Sequence, residues 1–371
     1  MEKIKFITTA QGSTFYADLK NQVNNYFILN KINNHANNEM IFKCVFWISS
    51  WIISWIGIII FKDFFVIALI MGLGHMFCHL MIAFNIAHDA NHSALFESKR
   101  LNHFFGYFME LLGCNKKLWT IAHNQEHHTF INIHEQDNNI DGYKLLRLCP
   151  HDTWKKHHKF QWLYAPFIYA LSTLNYATFR DIKLIFKYRR TGNLSINTIF
   201  VLEFILFKAI YYVYIFIIPI FIFNVDFSII LSFFIMGHFI NGIFLVFVFL
   251  TGHLTEETSY PPSGSNIDNN WAVHVIQTTG DYSPKSTVLQ WLIGSLNFHV
   301  AHHLFPKVCH VHYKRISPII KRVALSHGYA YREIPTFFEA IKSHFRLLKQ
   351  LGIPQNKLHS IPQDFSRQIS L

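Results

Sequence analysis

Four uninterrupted apolar runs, each long enough to cross a bilayer, restrict this chain more than any other feature. An α-helix rises about 1.5 Å per residue and needs about 20 residues to cross about 30 Å of hydrocarbon. The runs at 41–61, 64–86, 199–223 and 227–250 meet that length. They fall into two pairs, joined internally by only a few residues around Phe61-Lys62-Asp63 and Asn224-Val225-Asp226. Two helical hairpins are expected, with almost no protein on one side of the membrane.

The rest of the chain then collects on the opposite side and carries nearly all of the net charge of +11. Excess Lys and Arg marks the cytoplasmic face, and Lys187-Tyr188-Arg189-Arg190 stands just before the third run as an anchor. The expected organisation is a cytosolic N-terminal segment (1–40), a transmembrane hairpin (41–86), a first part of a cytosolic cap (87–198), a second hairpin (199–250) and a second part of the cap (251–371). Both termini would be cytoplasmic, in the inner (plasma) membrane if the source is bacterial. The first run starts near residue 41 and is too long for a signal-peptide core, so no cleaved targeting segment is expected. Five scattered cysteines, Cys44, Cys78, Cys114, Cys149 and Cys309, odd in number and without CxxC spacing, argue for a reducing compartment and against a thiolate metal site. The basic balance has no nucleic-acid-binding motif beside it. Anionic lipid head groups, or the phosphates of a coenzyme A thioester, are the better partners.

Of the 24 histidines, many are grouped where the chain leaves or approaches the membrane. His88-Asp89-Ala90-Asn91-His92 follows the second run, and its i, i+4 spacing puts both imidazoles on one helix face. His123-Asn124-Gln125-Glu126-His127-His128 and His299-Val300-Ala301-His302-His303 repeat the pattern, with helical spacings of four and three that let the outer pair face one way. One HxxxH is weak. Three such groups, all near the membrane surface on one side, point to metal, because neutral imidazole suits iron, zinc or copper. His253, directly after the fourth run, is a ninth candidate ligand, with an interfacial histidine as the alternative. His75 and His79 lie inside the second run, about half a turn off the face of His88 if that helix is continuous. They and His238 read as packing or interhelical hydrogen-bonding residues, with a haem or proton-relay role as the alternative.

Two clustered metals with almost wholly nitrogen ligation match no hydrolytic site: HExxH, P-loop and GxSxG motifs are all missing. An oxygen-activating diiron centre fits better. Removing hydrogen from an unactivated methylene needs a metal oxidant, and the protein would supply ligands, a dry cavity and a path for the acyl chain.

The boxes HDANH, HNQEHH and HVAHHLFP resemble those of membrane fatty acid desaturases, particularly bacterial acyl-lipid or acyl-CoA enzymes related to the front-end (linoleoyl-CoA type) group. The resemblance is nearly full length. It extends through Ile4-Lys5-Phe6, Gly252-His253-Leu254-Thr255-Glu256-Glu257, Asn269-Asn270-Trp271-Ala272, Cys309-His310-Val311-His312-Tyr313 and Pro335-Thr336-Phe337-Phe338-Glu339-Ala340. It implies an all-α integral membrane fold, four transmembrane helices as a stem and a cytosolic helical cap around two metals. It assigns iron to His88, His92, His123, His127, His128, His253, His299, His302 and His303, with dioxygen as co-substrate. Asp89, Asn132, Asp137 and Asp141 are implied as supporting polar positions, where a carboxylate on the far imidazole nitrogen would orient a ligand; surface solvation is the alternative. The implied reaction is insertion of a cis double bond into an acyl-CoA or acyl-lipid chain, with delta-6-like, front-end regiochemistry.

Two features depart from that group: front-end enzymes usually have Gln where this chain has His299, and the HPGG motif of a fused b5-type cytochrome is missing. Electrons would come from a separate ferredoxin or b5-type cytochrome with its reductase. The rival readings are a diiron hydroxylase or ketolase with the same ligands, told apart by an alcohol or ketone product, and a haem-binding membrane electron carrier, told apart by a Soret band.

Overall fold

The computed structural model describes residues 4–7, 9–140, 145–264, 267 and 270–354. It is mostly helical, and among the described residues four helices have the length and composition to cross a membrane: Asn38–Ile60, Phe65–Asn91, Thr198–Ile222 and Phe227–His253. The protein is thus a membrane protein. Two of these helices outlast the apolar runs that mark them. The second continues through His88 to Asn91, and the fourth continues through Thr251 and Gly252 to His253. Nor is the second uniformly α-helical, because it widens to a π turn at Ala83–Ala87 before returning to α at His88.

The chain divides into two compact units. One comprises 36–121 and 167–246 and holds most of the apolar helices. Its outward side chains are large and apolar, among them Ile53, Val66, Ile199 and Ile222, each more than 60% exposed, which a lipid environment accommodates and water does not. Inside, glycines let helices approach. A Cβ on Gly72 would sit 2.4 Å from the Phe233 ring, and one on Gly237 2.5 Å from Met76, so larger residues there would push helices apart. The intramembrane histidines are paired with neighbours. His75 Nδ1 donates to the Trp51 carbonyl at 2.9 Å, His79 Nε2 lies 2.7 Å from the Tyr214 hydroxyl, and His238 lies 3.1 Å from both Tyr211 and Thr173 hydroxyls. At the short connections, Lys62 Nζ donates to the Phe223 carbonyl at 3.0 Å.

The other unit comprises 1–35, 122–166 and 247–371. Its N-terminal helix Ala10–Leu29 is capped by Thr9, whose hydroxyl accepts from Gly12 N–H at 3.0 Å. Phe15, Leu19, Val23 and Phe27 recur every four residues and bury one face of it in a core with Ile316, Ile320, Val323 and Ala324 of the helix Tyr313–Ser326. A departure from an all-helical fold is a short parallel pairing of Asp281–Tyr282 with Glu333–Ile334. All five cysteines are buried, and none of them is in a disulfide.

Candidate metal centre

The second histidine box is built on a widened turn. Asn115 caps the segment Lys116–Thr120 by accepting from Leu118 N–H at 3.0 Å, and the chain then opens into a π turn over Ile121–His127. His128 N–H accordingly bonds to His123 O, five residues back, at 3.0 Å. Uniform α-helical spacing pairs His123 with His127; the wider turn instead brings His123 against His128, their Nε2 atoms 3.2 Å apart, and turns His127 toward Asp137. Trp271 Nε1 donates to His128 O at 3.0 Å and ties this turn to the helix Trp271–Thr278.

The third box occupies the six-residue helix His299–Leu304, whose three imidazoles are completely buried. His302 Nε2 lies 3.1 Å from His128 Nε2, and His299 Nε2 lies 2.9 Å from His253 Nε2. His303 stands between these groups, its ring centre 4.2 Å from that of His128, 4.6 Å from His253 and 5.0 Å from His127. Two sets in this unit, His127/His253/His303 and His128/His302/His303, each bring their nitrogens within 4.8 Å of one another.

Hydrogen bonding tests whether this arrangement suits a cation. His299 Nδ1 lies 2.8 Å from the Leu296 carbonyl and His253 Nδ1 lies 3.3 Å from the Thr278 carbonyl. A carbonyl can only accept, so both Nδ1 atoms carry the proton and both Nε2 atoms present lone pairs. Those lone pairs face each other at 2.9 Å, a repulsive contact that a shared cation turns into two favourable ones. His127 is fixed likewise. Its Nδ1 sits 3.1 Å from both carboxylate oxygens of Asp137, leaving a buried Nε2 with no hydrogen-bond partner. Neither ring nitrogen of His303 has one. Burial, followed by the neighbouring imidazoles, holds His303 well below the usual histidine range, in the neutral, ligating form. The donor set therefore fits a transition metal.

Supporting groups hold these rings. The Asp137 carboxylate also accepts from Asn132 N–H at 3.0 Å and Asn139 N–H at 2.9 Å. Asn132, at a φ of 56°, sends its side-chain N–H to His253 O at 2.9 Å and so links the loop to the end of the fourth apolar helix. Phe249 walls the site, its ring 6.2 Å from His123 and 6.3 Å from His299. In the other unit His88 and His92 form a pair with ring centres 4.7 Å apart, edge-on to Trp119 at 5.6 and 5.9 Å. Asp89 is buried there, 3.7 Å from His88 Nδ1, beyond the reach Asp137 achieves. Asp141 lies outside the described residues.

Three residues with no box or spacing to announce them also belong to this surrounding. His274 is buried, with an Nε2 that has no hydrogen-bond partner and a pKa pushed down by burial to about 4. Gly252 leaves room for the His299 ring. Asp281 holds the third-box helix.

Comparison with known proteins bears on what such a centre does. The family model described as fatty acid desaturase matches residues 36–335. A sn-1 linoleoyl-lipid 6-desaturase of Synechocystis sp. is 30% identical over 95% of this chain and 98% of its own length. Another, from Arthrospira platensis, is 28% identical over 95% and 96%. An acyl-lipid (8-3)-desaturase of Physcomitrium patens is 28% identical over 94% of this chain and 74% of its own length.

Proposed function

The chain belongs to the fatty acid desaturase family, and from that membership we propose that it binds two iron ions and uses dioxygen to insert a front-end, delta-6-like cis double bond into a lipid-bound acyl chain. It is an oxidoreductase that introduces double bonds into fatty acyl substrates. The ligands in this reading are His88, His92, His123, His127, His128, His253, His299, His302 and His303. The observation that carries it is the set of imidazoles whose outer nitrogens are committed to carbonyls or to Asp137 while their inner lone pairs converge. The regiochemistry follows the names of the Synechocystis and Arthrospira relatives, which this chain matches over nearly their whole length.

Iron, when bound, supplies the oxidising power that side chains lack. The protein's residues do the rest. Asp137 fixes the tautomer and orientation of His127; Leu296 O and Thr278 O do the same for His299 and His253. Phe249 and the buried box helix keep water from the centre. Each turnover takes two hydrogens from the acyl chain and reduces dioxygen to two waters, so two electrons and two protons come from outside. We assign the electrons to a separate ferredoxin or b5-type cytochrome. The same reading has two transmembrane hairpins, a cytosolic cap containing 87–198 and 251–371, and both termini in the cytoplasm, supported by the short connections and the basic balance of the remaining chain.

Expression in a desaturase-free host, with double bonds in total lipid located by mass spectrometry, tests this. New acyl chains unsaturated on the carboxyl side of an existing double bond are expected. Hydroxylated or keto products without alkene would reject the desaturase reading, and unsaturation only toward the methyl end would reject the front-end one.

A further inference from the structure

The helix His299–Leu304 carries three imidazoles in six residues yet starts without a cap of its own, since Phe298 offers its first turn no side-chain hydrogen bond. So short a helix has little stability of its own, and the N–H groups of its first turn need partners. One comes from another part of the chain. Asp281 Oδ1 accepts from Val300 N–H at 3.0 Å, while its second oxygen accepts from the Tyr331 hydroxyl at 2.6 Å. The carboxylate is 1% exposed, and burial pushes it up to about 7 despite these two donors. A residue this unfavourable to bury calls for a role.

Its neighbours suggest one. Thr278 O receives His253 Nδ1 at 3.3 Å, and Gly280 N–H donates to Gly252 O at 2.9 Å, so the residues leading into the strand grip the end of the fourth apolar helix at its ligand. Tyr282 N–H donates to Asn297 O at 3.0 Å and its hydroxyl to Val248 O at 2.8 Å. Asp281 N–H is itself anchored to Arg332 O at 3.0 Å. Five consecutive residues therefore hold His253 on one side and the His299 helix on the other, and those two imidazoles meet at 2.9 Å.

We propose that Asp281 is a positioning residue of the metal centre: by capping the His299–Leu304 helix from the segment 278–282 that also holds His253, its carboxylate sets the approach of His299 to His253. The inference rests on the site being a metal centre. Metal–nitrogen distances tolerate only about 0.2 Å of error, so a small slide of the helix is enough to lose a ligand.

The test compares Asp281→Asn, Asp281→Ala and Asp281→Glu, purified as full-length chains in detergent. The readouts are metal per chain, affinity for cobalt(II) by chelator competition, and the visible cobalt spectrum. Asn keeps an acceptor for Val300 N–H and is expected to bind within about threefold of the parent with an unchanged spectrum. Ala is expected to bind about 10- to 100-fold more weakly, as for other groups that orient a ligand, with a shifted spectrum. If Ala does not fold, Glu decides, because it retains the charge but displaces the cap by a methylene; weaker binding with a shifted spectrum is expected. Parent-like affinity and spectrum in a folded Ala or Glu variant would overturn the proposal, as would loss of metal in a folded Asn variant. Parent protein that binds no metal at all would instead sink the reading of the site.

Discussion

Replacing Gly252 by alanine should strip at least half of the metal from the centre while leaving the fold intact. A Cβ at this position would lie 2.4 Å from Cδ2 of His299, 2.6 Å from its Cγ and 3.1 Å from its Cβ. A relaxed carbon–carbon contact is about 3.5 Å, so the imidazole must retreat by about 1 Å. Ligand bonds accept about 0.2 Å. The ring cannot rotate away freely, because Nδ1 is held at 2.8 Å by Leu296 O. For the fold the effects oppose each other: overpacking costs about 1–3 kcal/mol, and removing glycine from the helix Phe227–His253 returns about 1 kcal/mol. The net change in stability is about 0–2 kcal/mol against a ligand displaced several times too far. Metal per chain by mass spectrometry, thermal unfolding in detergent and the lipid profile of the expressing host together read this. Loss of at least half of the metal and nearly all product, with the unfolding temperature within a few degrees of the parent, is expected. A variant with full metal content and parent activity would refute the argument that the His299 contact is tight.

His127→Ala and His302→Ala should lose most of the metal and all activity; tight zinc at one per chain from iron-replete cells, without iron-dependent turnover, would contradict the diiron reading. His75→Ala and His79→Ala should keep the metal, at an average cost of about 0.6 kcal/mol for each lost hydrogen bond within the membrane, and metal loss equal to that of His127→Ala would contradict this. Acid should destabilise the metal-free protein: burial lowers His274 and His344 from 6.5 to about 4. The unfolded chain then takes up more protons than the folded one below pH 6.5. Stability is full above that pH and falls by about 3 kcal/mol per histidine as pH drops toward 4. Thermal unfolding between pH 7.5 and 4.5 measures it, and a slope that His344→Gln leaves unchanged would refute that residue's share. Turnover should require a reductase and a small acidic carrier, with carrier-limited rates that fall as salt screens the cation-rich connection. Turnover with reduced nicotinamide nucleotide alone, or rates unchanged by converting Lys155 and Lys156 to Glu, would contradict those two claims.

The apolar helices were legible because hydrophobic length is a local signal that tertiary context rarely overrides. Their ends beside the histidine boxes were less so. Polar Thr251 and His253 end the apolar run but not the helix, since its last turn is held by tertiary bonds such as Asn132 to His253 O. The boxes were visible as clusters, yet the pairing of His123 with His128 was hidden, because spacing alone defaults to 3.6 residues per turn and says nothing of a π turn. Asp137 was implied only through resemblance. His274 and Asp281 left no trace in the sequence pattern: each is a single residue whose partners, Ile131 for one and Val300 and Tyr331 for the other, come from distant parts of the chain.

The widened turns at Ala83–Ala87 and Ile121–His127 also bear on how such a chain can change over time. A π turn holds one residue more than the α turn it replaces, the geometry left when a residue is inserted into an existing helix. Losing a residue from either stretch would let the helix relax to α and swing every imidazole beyond it by about 100°. Apart from the ligands His123 and His127, substitutions there need only preserve packing, whereas a one-residue deletion redirects ligands wholesale. Outside those two histidines, drift in these stretches is therefore freer in identity than in length.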